Sequence, residues 1–173
     1  MDRSRKPVLT QFVRQLTLVL YVFLCSTGQA AGQQRPVEYV PVSNLVVSGV
    51  ALGDGVQILR SKIGDPDSIV VMENEFEATE YFAYCYGASR FTVENHKVEG
   101  FHLKDPVFRL NSLGVAVGDS ILVLVERFPL AVQHQTIRNG NAIIRVRIGT
   151  SDSYLLFICR KQRITEIRIW NDL

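Results

Sequence analysis

The residues of this sequence best suited to chemistry are three histidines, His96, His102 and His134, two downstream cysteines, Cys85 and Cys159, and a run of carboxylates. The histidines share no spacing with one another or with the cysteines that would place ligands together on one turn or hairpin. Glu73, Glu75, Glu77 and Glu80 crowd one stretch but lack the glycine and terminal glutamate of a calcium loop, so they read as a solvated loop or edge strand. His102 and Glu99 could form an acid–base pair, yet strand residues of opposite parity face apart. No serine elbow, metalloprotease helix or phosphate loop occurs. The expectation is a protein with no catalytic residue, no cofactor and no metal site.

A different chemistry gathers near the C-terminus. In Ile164–Trp170, Ile167 and Ile169 share one parity, and Glu166, Arg168 and Trp170 share the other. In Ala142–Ile148 the even positions are apolar, which turns Arg145 and Arg147 outward. Phe101 and Leu103 against His102 and Lys104 repeat the pattern upstream. Arginine beside tryptophan is the composition of protein-interface hot spots. Arg145, Arg147, Arg168, Trp170 and His102 are therefore the candidate partner-binding face, with Tyr81, Tyr84 and Tyr86 as an extension.

The elements that must hold this face follow from a repeat. Gly49, Val50, Ala51, Gly53 and Asp54 recur as Gly114, Val115, Ala116, Gly118 and Asp119, a shift of 65 positions. After each block an apolar stripe at helical spacing predicts a short helix: Val56, Leu59, Ile63 in the first, Ile121, Leu124, Phe128 in the second. Asp54 is placed to cap the first helix with Gln57 completing a capping box, Gly64 to stop it, and Pro129 to close the second. Strand-like segments follow at 80–86, 91–93 and 98–103, then at 142–148, 154–159 and 164–170. Asn95-His96 and Asn139-Gly140 are the tight turns. The fold expected is α+β: two tandem repeats, each a short helix packed on a three- to four-stranded antiparallel sheet. Residues 49–106 form unit 1 and 107–173 unit 2. Residues 31–48, broken by Pro36 and Pro41, form an extended lead-in or edge strand.

Residues 1–30 read as a secretory signal: Arg3, Arg5, Lys6 and Arg14, then the apolar run Leu16–Cys25, then small residues before a cleavage point after Ala30. Leu24 stands before Cys25 where a small residue is needed, which argues against a lipid anchor. The leader holds four of the 19 Lys+Arg and one of the 17 Asp+Glu, which leaves 15 against 16. That near-neutral balance excludes nucleic acid as the expected partner. Export to a periplasm or the exterior, with no membrane span after cleavage, is the expected localisation. There Cys85 and Cys159 are either a bridge between the units or two small buried hydrophobes; the alignment of Cys159 with Val93 suits the second.

The block Val50-Ala51-Leu52-Gly53-Asp54, Ile63-Gly64-Asp65-Pro66 and the aromatic strand Glu80–Tyr84 resembles small outer-membrane-assembly lipoproteins of the SmpA/OmlA type. Two such units on an exported chain resemble the β-lactamase inhibitor protein fold. The resemblance implies a helix-on-sheet unit used twice, with a sheet face that grips a protein partner. The inhibitor's disulfide pattern and its target are not carried over. The expected function is an exported, non-enzymatic, protein-binding or inhibitor-like module, with a structural envelope component as the alternative.

Overall fold

The computed structural model describes residues 38–74 and 79–171; the expected leader, with Cys25, lies outside them, as do Glu75 and Glu77. In chain order the elements are β1 (Tyr39–Val40), a 3-10 turn (Val42–Asn44), β2 (Val46–Val47), β3 (Val50–Ala51), α1 (Val56–Ile63), β4 (Ser68–Asn74), β5 (Thr79–Tyr86), β6 (Ser89–Glu94) and β7 (Lys97–Leu103). Then come β8 (Arg109–Leu110), β9 (Val115–Ala116), α2 (Leu122–Arg127), α3 (Pro129–Gln133), β10 (Thr136–Arg138), β11 (Asn141–Ile148), β12 (Ser153–Arg160) and β13 (Arg163–Asn171). The fold is α+β, with strands predominating.

The two predicted meanders run into a single sheet. Among the described residues nine strands join in the order β1-β11-β12-β13-β7-β6-β5-β4, with β10 also on β11. The junction is short: Ile167 pairs with Leu103 and Arg168 with His102. A second sheet, β3-β2-β8-β9, is built from two-residue strands and bridges the same division through Val47 and Leu110. The lead-in contributes the parallel edge pairing of β1 with Arg147 and Ile148, and Val40, Leu45 and Val47 are buried in the core.

The two Gly-Val-Ala blocks take up the same local structure. The Gly53 amide donates to the Val98 carbonyl and Gly118 to that of Ile164, both at 2.7 Å. Val98 and Ile164 return bonds to the carbonyls of Asp54 and Asp119, both at 2.9 Å. The helix stripes fall inward: Leu59 and Leu124 are fully buried, and Ile121 and Phe128 nearly so. Both following hairpins turn through consecutive positive-φ residues, Asn95-His96 and Lys161-Gln162. Both also bulge one residue into the next strand, between Val98 and Gly100 and between Ile164 and Glu166.

Three local expectations are corrected. Asp54 does not cap α1, whose N-cap is Gly55 with no side-chain bond. Its carboxylate instead accepts the amide of Ala51 at 2.8 Å, as Asp119 accepts that of Ala116 at 2.9 Å. A short side-chain oxygen can tie a loop backwards as readily as it caps forwards. Pro129 does not close the second helical segment. Phe128 breaks it at φ −136°, and Pro129 opens α3 from the first turn, where its missing amide is harmless. Tyr86 does not join the outer face: it is buried, donates to the Gly64 carbonyl at 3.1 Å and stands edge-on to Phe91 and Phe108.

Candidate functional site

Strand alternation divides the large sheet. Phe91, Val93, Phe101, Leu103, Ile144, Val146, Leu155, Phe157 and Ile167 belong to one hydrophobic core with Leu59, Leu124 and the small sheet. The intervening residues make up the other face. Across it one row reads Arg145, Leu156, Arg168, His102 and Arg90 on β11, β12, β13, β7 and β6. A second row reads Tyr39, Arg147, Tyr154 and Trp170 on β1, β11, β12 and β13.

This register brings some candidate residues together and keeps others apart. Arg168 and His102 are direct cross-strand neighbours. The Arg168 guanidinium lies 5.3 Å from the Trp170 ring centroid, a cation–π contact. Arg145 is not beside Arg168, because Leu156 stands between them and is itself 5% exposed on this outer face. Tyr154 likewise separates Arg147 from Trp170. Arg147 is committed to its own hairpin, donating to the Ser151 carbonyl at 2.8 Å and to Asp152 at 2.9 Å. Arg145 is exposed, and Trp170 is 46% exposed. Of the tyrosines, Tyr81 shares parity with the outer face, whereas Tyr84 pairs with Phe91 and packs against the core.

His102 acquires a partner outside its own strand. Its Nε2 lies 2.7 Å from Glu166 Oε2, and Lys104 Nζ lies 4.0 Å from the other carboxylate oxygen. Burial holds the His102 pKa below its ordinary value, outweighing the hydrogen bond and charge of Glu166; Lys104 and Arg90 push the same way as burial. Parity placed His102 and Glu166 on one face, but their contact depends on β7 pairing with β13, which no local signal announces.

The face is electrostatically one-sided. It carries Arg90, Lys104, Arg145, Arg147, Arg160 and Arg168 against Glu94 and Glu166. Arg168 Nε is buried and has no hydrogen-bond partner among the described residues. The cysteines are both free and lie on opposite faces: Cys85 pairs with outward Arg90, whereas Cys159 is in the core, where burial pushes its thiol pKa up to about 11. His96 lies in the β6–β7 turn, and His134 follows α3, both exposed. Among the described residues no helix is long and apolar enough to cross a membrane.

No protein-family model matches the chain, and no curated protein matches it. Among solved structures it is similar to an extracellular protein containing an SCP domain from Bacillus anthracis str. Ames, at 13% identity and a TM-score of 0.47. The match covers 83% of this chain and 50% of that one, so this chain spans about half of its length. A likeness of that degree assigns no family, activity or partner.

Proposed function

We propose that this chain is an exported, non-enzymatic module that binds another protein, in the manner of an inhibitor, through the outer face of its large sheet. The observation that carries this reading is the cationic and aromatic surface centred on Arg168 and Trp170. Arg145 lies two strands away, beyond Leu156, and His102 is set in place by Glu166.

The reading includes an internal duplication behind this surface. It is supported by the shared hydrogen bonds, turns and bulges of the two blocks, and by a register in which counterparts meet. His102 and Arg168 are 66 positions apart and pair directly. Val47 and Leu110 pair directly, and they hold matching places opposite Val50 and Val115. Two copies related by a local two-fold axis through both points account for this. The basic, apolar and small-residue succession of residues 1–30 supports export.

A photo-crosslinking amino acid in place of Arg145 should capture a defined protein from the cell envelope or medium. The same group in place of Lys62, on α1 in the opposite layer, should not. Arg168→Ala with Trp170→Ala should abolish capture while leaving thermal unfolding cooperative. Capture that is equal at the two positions, or unchanged in the double variant, would remove the outer face from consideration.

A further inference from the structure

The strand that ends the large sheet on the side away from β11 is β4. It is seven residues long, in unbroken register with β5 from Ser68↔Cys85 to Asn74↔Thr79. No described strand takes the backbone groups along its other edge. Its centre is apolar and uncovered: Ile69 is 44% exposed, Val70 50% and Val71 55%. Folded proteins normally blunt such an edge with lysine, proline, a bulge or a very short strand. The opposite edge does so, because β10 and β1 are short and divide β11 between them. The β4 edge has none of these devices.

Its charge environment selects an occupant. From Lys62 to Arg90 the sequence contains no intervening lysine or arginine, but it contains Asp65, Asp67, Glu73, Glu75, Glu77 and Glu80. A second copy is a poor fit. Whatever the register, it would bring the same uncompensated set of carboxylates to the edge, and like charges brought together destabilise a strand pair.

We propose that β4 is a strand-addition site for an extended segment of another protein. That segment has β-branched side chains at its centre and lysine or arginine at its ends. Main-chain hydrogen bonds supply the attachment, and the apolar centre with the carboxylates that flank it in the sequence supplies the selection. The site lies at the edge of the sheet and is independent of the outer-face reading.

Fluorescence anisotropy with the purified chain and labelled peptides tests this. The peptide KRTVTVTRK should bind, and its counterpart EETVTVTEE should bind at least about tenfold more weakly. KRTVTVTRK N-methylated at alternate residues keeps its charge but loses its donors, and it should not bind. Val70→Lys should lower affinity for the basic peptide about tenfold, by placing a cation on the edge. Failure of KRTVTVTRK to bind, or equal binding by either control peptide, overturns the proposal. So does sedimentation showing that the chain self-associates and that Val70→Lys abolishes this, since the occupant would then be a second copy. If Val70→Lys does not fold, the peptide series on the unaltered chain still decides.

Discussion

The blocks beginning at Gly49 and Gly114 share glycine, valine, alanine and aspartate, and they share the hydrogen bonds those residues make. They differ in how the helix that follows is ended. In the first, Gly64 adopts φ 101° and ψ −174°, a conformation close to glycine-only, and the chain leaves directly into β4. In the second, Phe128 breaks the helix and Pro129 restarts it, so that Ala131 packs into the core and its amide reaches Glu38 at 2.9 Å. The entry to each helix is thus held by one arrangement, while the exit varies with what must be covered next. Few residues fix the entry, because the turn is anchored by backbone bonds to a neighbouring strand.

Three contrasts between the blocks would break or sharpen this comparison. Leu59→Ala and Leu124→Ala each empty a fully buried place under a helix, and each should lower stability by about 2–5 kcal/mol in chemical denaturation. A large loss at one site and a trivial loss at the other would dissolve the equivalence. Gly64→Ala should cost about 1–3 kcal/mol because a side chain is forced into the glycine-only region. Pro129→Ala should cost less than about 1 kcal/mol, since alanine is well tolerated in a first turn; equal losses would mean the two exits are not built differently. In the hairpin turns, Lys161→Asn with Gln162→Gly should raise stability by about 1 kcal/mol by relieving two positive-φ side chains. His96→Gly, beside an asparagine already suited to the turn, should gain less.

The smallest effect concerns the β7–β13 junction, where His102 pairs with Arg168. The folded-state pKa of His102 lies below its ordinary value, so the folded state favours neutral imidazole. Stability from this group is fully present above pH 6.5 and declines as the pH falls through the depressed value. His102→Gln should flatten the melting temperature between pH 7.5 and 5 relative to the unaltered chain. An unchanged slope would assign the pH dependence elsewhere.

Much of the scaffold is legible in the sequence, and the reason is period. The stripe Val56-Leu59-Ile63 and the alternation Ala142-Ile144-Val146-Ile148 are local statements that burial enforces, so helix and core face follow from them. Asn95-His96 and Asn139-Gly140 mark turns because asparagine and glycine tolerate positive φ. Strands β2, β3, β8 and β9 are illegible because two residues cannot display a period. The role of Asp54 is misread because one carboxylate can bond forwards to a helix or backwards to a loop, and Gly55 takes the cap. The outward placing of Arg145, Arg168 and Trp170 follows from parity. The screening of Arg145 from Arg168 by Leu156 and the contact of His102 with Glu166 do not, because both depend on which strands lie side by side.

The shortness of the β7–β13 junction has a mechanical consequence. The ladder is two residue pairs wide, and the small sheet crosses the same division at Val47 and Leu110, with Val46 and Ser48 bonded to Asn111 and Arg109 on either side. One continuous hydrophobic core spans both fastenings, so side-chain packing more than ladder bonds holds the two meanders together. Arg168, His102 and Glu166 sit on the outer face of that short ladder.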